Sequence, residues 1–165
     1  MKAMDLAKYI LTKCNKDGQP ISNLQLQKML YYIQYEFLTN YGKPLFDDDF
    51  EAWKFGPVIT VVYYEYSHMG AFKIGADYEG YDKILRDMAQ EEIDMLNQII
   101  VDKRDINAWK LVDNTHKSGK AWDIVFKNGD GIGDVISKEL IRENAFWARI
   151  LTRQRTYNNK RRYMF

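Results

Sequence analysis

Apolar residues recur at helical spacing along most of the chain, which predicts a mainly helical protein. The clearest stripe lies between positions 23 and 41 and consists of Leu26, Leu30, Ile33 and Phe37. Ser22 followed by Gln25 is a capping-box pattern, in which the two side chains satisfy free amides of a first helical turn. Because further apolar residues broaden this stripe, we expect helix 23–41 to be the central one.

The remaining pattern predicts shorter helices separated by glycine-rich loops at 70–81 and 128–133. The segment 50–53 is compatible with a brief strand. The run 58–62 is ambiguous, because its β-branched residues favour a strand whereas Pro57 suits the first turn of a helix, and we predict a helix there. The other helices are expected at 4–14, 89–104, from Asn107 toward Gly119, at 121–126, and from Ser137 onward.

The predicted fold class is therefore mainly α: a compact single-domain helical bundle of about six helices, with at most a small β ribbon. The length of 165 residues agrees with one domain. Cys14, His68 and His116 are too few for an intrachain disulfide or a four-ligand structural zinc site, so we expect no metal and no cofactor. A lone thiol, no charged-apolar leader and no long apolar run predict a cytoplasmic protein without membrane insertion.

Charge is distributed unevenly although the net charge is only +1. Positions 149–165 hold six basic residues and no acidic one, which leaves 18 basic against 23 acidic residues in positions 1–148. We therefore divide the chain into a helical domain, 1–148, and a basic C-terminal tail, 149–165. The tail could contact nucleic acid, an acidic protein or its own domain. The nucleic-acid candidates are Arg153, Arg155, Lys160, Arg161 and Arg162.

Catalytic motifs are missing from the sequence: there is no phosphate-binding glycine loop, no HExxH and no GxSxG. Asp113 and His116 could form an acid–base pair near Ser118. However, neighbouring residues at one helix end seldom converge on one reacting atom, so we do not expect an enzyme. We predict instead that Asp113, His116 and Lys117 contact a partner.

Aromatic residues are abundant, with twelve tyrosines and four tryptophans, more than a small helical core requires. Aromatic side chains are frequent anchors of protein interfaces, because they bury a large area with few rotatable bonds. We therefore predict that Trp53, Lys54, Phe55 and Tyr63 contact a protein partner.

Three segments together carry a family likeness. They are ISNLQLQKMLYY at 21–32, FEAWKFGPV at 50–58, and Leu111-Val112-Asp113 with Thr115-His116 and Trp122. This combination resembles the SocA-like Panacea domain family, also described as GepA-like phage-associated proteins. The likeness spans about positions 4–146.

The resemblance implies an antitoxin of a toxin–antitoxin system, often carried on a prophage, that neutralises a protein toxin by direct contact. One branch of the family looks like an adaptor that delivers its toxin to a ClpXP-type protease. Two alternatives stay open: a nucleic-acid-binding phage accessory protein that uses the basic tail, and a small enzyme that uses Asp113 and His116.

Overall fold

The computed structural model describes residues 1–144; the predicted domain boundary at 148 and the five nucleic-acid candidates of the tail lie outside the described residues. The helices are α1 (Ala3–Lys16), α2 (Asn23–Tyr41), α3 (Thr60–Glu65), α4 (Gln90–Arg104), α5 (Ala108–Thr115), α6 (Ala121–Phe126) and α7, described over 138–144. The strands β1 (Phe50–Trp53), β2 (Gly56–Val58) and β3 (Val135–Ile136) form an antiparallel sheet in the order β2-β1-β3. The predicted mainly α fold class with a small β component is confirmed.

Helix α2 occupies the centre, where it packs against α1, α3, α4, α5 and β2. Its predicted apolar stripe is buried. The capping box is also present, since the Gln25 amide donates to Ser22 Oγ at 3.4 Å and the Ser22 amide donates to Gln25 Oε1 at 3.1 Å. Gly42 then ends the helix with a φ of 67°, a left-handed conformation that glycine adopts without strain.

Glutamine side chains of α2 also bind the loops that surround it. Gln25 Nε2 donates to the carbonyl oxygens of Arg104 and Ile106 at 3.1 and 3.0 Å. Gln27 Oε1 accepts from the Ile59 amide at 2.9 Å. Because a buried backbone group without a partner is costly, these bonds fix the α4–α5 connection and the entry to α3 relative to α2. Part of the 21–32 motif is thus structural.

The predicted helix start at Pro57 is wrong. Pro57 lies in β2, opposite Ala52 of β1, and α3 begins only at Thr60. The turn between the strands is Lys54-Phe55, and Gly56 follows it with a φ of 99°. The neighbouring strand β1 therefore decides the conformation of this segment, because pairing with it outweighs the local suitability of proline for a helix.

Among residues 1–144, no helix combines the length and the hydrophobicity that a membrane-spanning segment requires.

Candidate functional site

A large groove lies where the β1–β2 hairpin, the start of α2 and the α4–α5 connection meet. Its volume is about 1270 Å³. Its apolar lining includes Trp53, Phe55, Tyr63, Trp109 and Ile132, and we call it the aromatic groove. These side chains come from segments that are distant in sequence, so only the folded chain creates the surface.

Two ring pairs form the wall of the aromatic groove. The Trp53 and Tyr63 ring centroids are 4.9 Å apart, and Phe55 packs edge-to-face on Trp109 at 5.3 Å with an interplanar angle of 87°. Phe55, Trp109 and Ile132 nevertheless remain 45%, 55% and 62% exposed. Each ring pair gains contact energy, yet a large apolar area stays in water. Such a cluster is typical of a surface that binds another molecule.

Charged side chains surround these rings. Glu51 accepts a hydrogen bond from the Trp53 indole at 2.9 Å, and Lys73 donates to Gln25 Oε1 at 2.6 Å. The Lys54 ammonium lies 5.5 Å from the centre of the Phe55 ring. The groove therefore combines exposed aromatic rings with neighbouring charged groups, a composition found in protein interfaces.

Two buried side chains, Trp122 and Asn23, hold the groove wall by hydrogen bonds to its backbone. The Trp122 indole donates to the Trp53 carbonyl at 2.9 Å, and Asn23 Nδ2 donates to the Tyr63 carbonyl at 3.0 Å. Both aromatic residues are thus fixed through their backbones. A wall held in this way loses little conformational entropy when it binds a partner.

Lys28 lies beneath the same hairpin and is completely buried. Its Nζ donates to the Pro57 carbonyl at 2.9 Å. Burial disfavours the charged ammonium and lowers the pKa of Lys28 to about 7. A lysine in a helix is normally expected in solvent, so the burial of Lys28 was not predictable from its residue type.

The second predicted group lies elsewhere. Asp113 and Lys117 are exposed and, like His116, are not part of the aromatic groove. The His116 ring stacks on Trp122 at 3.7 Å, and its Nε2 has no hydrogen-bond partner among the described residues. Burial, and secondarily the charge of Lys28, lowers the pKa of His116, which favours the neutral ring. Of the predicted site residues, Trp53, Lys54, Phe55 and Tyr63 line the aromatic groove, whereas Asp113, His116 and Lys117 do not.

Sequence reasoning missed Trp109 and Ile132 as parts of the groove. The sequence pattern did not identify Trp109, because its i, i+3 spacing from Val112 fits a shared apolar face. In the structure Leu111, Val112 and Thr115 form the buried face of α5, and Trp109 lies outside it. No sequence signal identified Ile132 either, since it lies in a polar, glycine-rich segment.

Comparison with known proteins agrees with the resemblance seen in the sequence. The family model described as "Antitoxin SocA-like, Panacea domain" matches residues 26–123. Antitoxin SocA of Caulobacter vibrioides (strain NA1000 / CB15N) is 36% identical, over 78% of this chain and 72% of its own length. No solved structure gives a significant match. The chain belongs to the SocA-like family of antitoxins with a Panacea domain.

Proposed function

We propose that this chain neutralises a protein toxin by direct binding, and that the aromatic groove is the surface that contacts the toxin. The observation that carries the proposal is the exposed Phe55–Trp109 pair at the groove. The class of partner follows from family membership, because an antitoxin acts on a toxin.

The dimensions and chemistry of the groove support a polypeptide partner. Sites for small molecules usually have volumes of about 300–1,000 Å³ and enclose most of the ligand. The aromatic groove is larger, at about 1270 Å³, and exposes three large apolar side chains. Tryptophan and other aromatic anchors surrounded by polar residues account for most of the binding energy in many protein interfaces.

The proposal is tested by coexpression with the product of a neighbouring gene that stops growth when it is expressed alone. We expect the wild-type chain to restore growth and to copurify with the toxin. The double substitution Phe55→Ala with Trp109→Ala should abolish both effects, because it removes the exposed pair.

The matched control is Val101→Ala with Ile124→Ala. These two side chains are also exposed and apolar, at 39% and 44%, but they do not line the groove. The control should neutralise the toxin like the wild type. If both double variants fold and neutralise equally well, the aromatic groove is not the contact surface.

Two mechanisms are possible for neutralisation: the chain blocks the toxin, or it acts as an adaptor that delivers the toxin to a ClpXP-type protease. Measuring the toxin level during coexpression distinguishes them. If the toxin is blocked, its level stays constant and it elutes with the antitoxin. If the chain acts as an adaptor, the toxin level falls only in cells that contain the protease. Either result requires binding, so the Phe55 and Trp109 substitutions should prevent both.

Asp113, His116 and Lys117 stay a predicted second contact patch. Asp113 and Lys117 are exposed, so Asp113→Ala with Lys117→Ala should leave the fold intact. Exposed charged side chains usually contribute less to affinity than aromatic anchors that become buried in an interface. We expect this double substitution to weaken toxin binding less than Phe55→Ala with Trp109→Ala does.

A further inference from the structure

Lys28 is an unusual choice for the position that it occupies. The side chain is fully buried, and within residues 1–144 no carboxylate lies at ion-pair distance from its Nζ. Burying an amine costs free energy that an apolar side chain of similar length would not require. What the amine provides, and an apolar side chain cannot, is a directed hydrogen bond to the Pro57 carbonyl.

That bond holds one side of a two-residue turn, and Trp122 holds the other. The turn consists of Lys54 and Phe55, which line the aromatic groove. The carbonyl of Trp53, just before the turn, accepts from the Trp122 indole. The carbonyl of Pro57, just after Gly56, accepts from Lys28. Two buried donors therefore fix the backbone on both sides of the turn.

Gly56 brings the hairpin unusually close to the lysine. A Cβ atom at Gly56 would lie 2.7 Å from Lys28 Nζ and 2.9 Å from Lys28 Cε. It would also lie 2.8 Å from Oγ1 of Thr115, at the end of α5. Only glycine fits there, so the backbone of the hairpin rests directly on the head of Lys28.

We propose that Lys28 is a positioning residue for the aromatic groove: through the Pro57 carbonyl it sets the orientation of the turn that presents Phe55. The effect on toxin binding rests on the proposed function, whereas the effect on the hairpin does not. The inference therefore has a test that uses the chain alone.

The first test measures amide hydrogen exchange in Lys28→Met, with Lys110→Met as the control because Lys110 is an exposed lysine of α5. We expect the amides of Trp53, Gly56 and Val58 to lose at least tenfold protection in Lys28→Met relative to amides of α1. Lys110→Met should match the wild type. Unchanged hairpin protection in a folded Lys28→Met variant would overturn the inference.

A second test uses the wild-type chain, so it can be carried out even if Lys28→Met does not fold. The Val58 amide belongs to the same peptide group as the Pro57 carbonyl. In a pH titration followed by NMR, its chemical shift should change with the same midpoint as the ¹³Cε signal of Lys28. A purely space-filling lysine would titrate without moving the Val58 amide, and that result would contradict the inference.

Other titrating groups near Lys28 are followed in the same spectra. His116, at the end of α5, interacts electrostatically with Lys28, and Asp113 and Asp123 in turn act on His116. Its own ring signals identify its midpoint, which should lie below the ordinary histidine value. Tyr31 and Tyr32 of α2 stay neutral in this range, because burial raises the pKa of both phenols.

The binding arm separates the two proposals. If the toxin binds the aromatic groove, Lys28→Met should weaken that binding at least tenfold and Lys110→Met should not. If hairpin protection falls but toxin affinity stays constant in Lys28→Met and in Phe55→Ala with Trp109→Ala, the positioning role stands and the proposed function fails. If only the groove variant weakens binding, the proposed function stands and the positioning role fails.

Discussion

Replacing Lys28 by methionine should change how the free energy of unfolding depends on pH. In the folded chain the pKa of Lys28 is about 7, against an ordinary value of 10.5. The folded state therefore carries a neutral amine between these values, whereas the unfolded state carries the charged ammonium. Since the unfolded state binds the additional proton, stability should rise with pH above about 7 and fall as the pH drops toward it.

The magnitude follows from that shift. One proton bound only in the unfolded state changes the free energy of unfolding by about 1.4 kcal/mol per pH unit. At pH 7 the folded amine is still half protonated, so from pH 7 to pH 9 the Lys28 contribution should grow by about 2 kcal/mol. Lys28→Met has no such contribution. The substitution also leaves the Pro57 carbonyl without its hydrogen-bond donor, which costs free energy at every pH. The test is therefore how the stability difference between wild type and Lys28→Met changes with pH, and not the size of that difference at one pH.

The assay is urea denaturation of the wild type, Lys28→Met and Lys110→Met at pH 7, 8 and 9. Burial raises the pKa of Cys14 to about 11 and lowers the pKa of His116, so both groups also make stability depend on pH. Because all three variants contain both groups, their contributions largely cancel in the difference between variants. The wild type should gain about 2 kcal/mol over Lys28→Met across the range, and Lys110→Met should follow the wild type. A difference that is constant with pH would show that Lys28 is not buried in a neutral form.

Three further predictions concern the fold. Leu30→Ala should lower the free energy of unfolding by roughly 2–5 kcal/mol in calorimetry, because it empties a fully buried site of α2; an unchanged melt would contradict the central place of this helix. Gln34→Ala should lower the free energy of unfolding, measured by urea denaturation, by about 2–4 kcal/mol. The reason is that the Gln34 side chain accepts from the Leu45 amide and donates to the Phe46 carbonyl, both at 2.9 Å. A loss no larger than that of a substitution at an exposed position would show that these bonds contribute little. Gly56→Ala should lower the melting temperature more than Gly42→Ala does. Both positions have a positive φ, but of the two only Gly56 would bring an added Cβ within 3 Å of other atoms. Equal effects would argue against the close approach of Gly56 to Lys28.

The parts of the fold that were predictable from sequence are those with a local cause. The α2 stripe and the Ser22–Gln25 capping box act within a few residues, and both were predicted and are present. Ser137 was likewise predicted as a helix cap, and its Oγ accepts from the Leu140 amide at 3.1 Å. The prediction of a helix start at Pro57 was wrong because the conformation of this residue depends on strand pairing, which overrides local preference.

The candidate site was predictable only in part, for the same reason. The density of aromatic residues identified Trp53, Phe55 and Tyr63, which lie close together in sequence and line one groove. Trp109 joins them through the fold, because the side chain of Gln25 holds the α4–α5 connection in place. The burial of Lys28 could not be predicted, because it depends on the β1–β2 hairpin that packs over it in the folded chain.

The central claim is that the aromatic groove binds the toxin, and the dissociation constant of the purified complex tests it most directly. Phe55→Ala with Trp109→Ala should raise the constant at least about 30-fold, the effect of losing 2 kcal/mol at an interface anchor. Val101→Ala with Ile124→Ala should leave it within about threefold of the wild type. Equal constants for the two folded double variants would contradict the account.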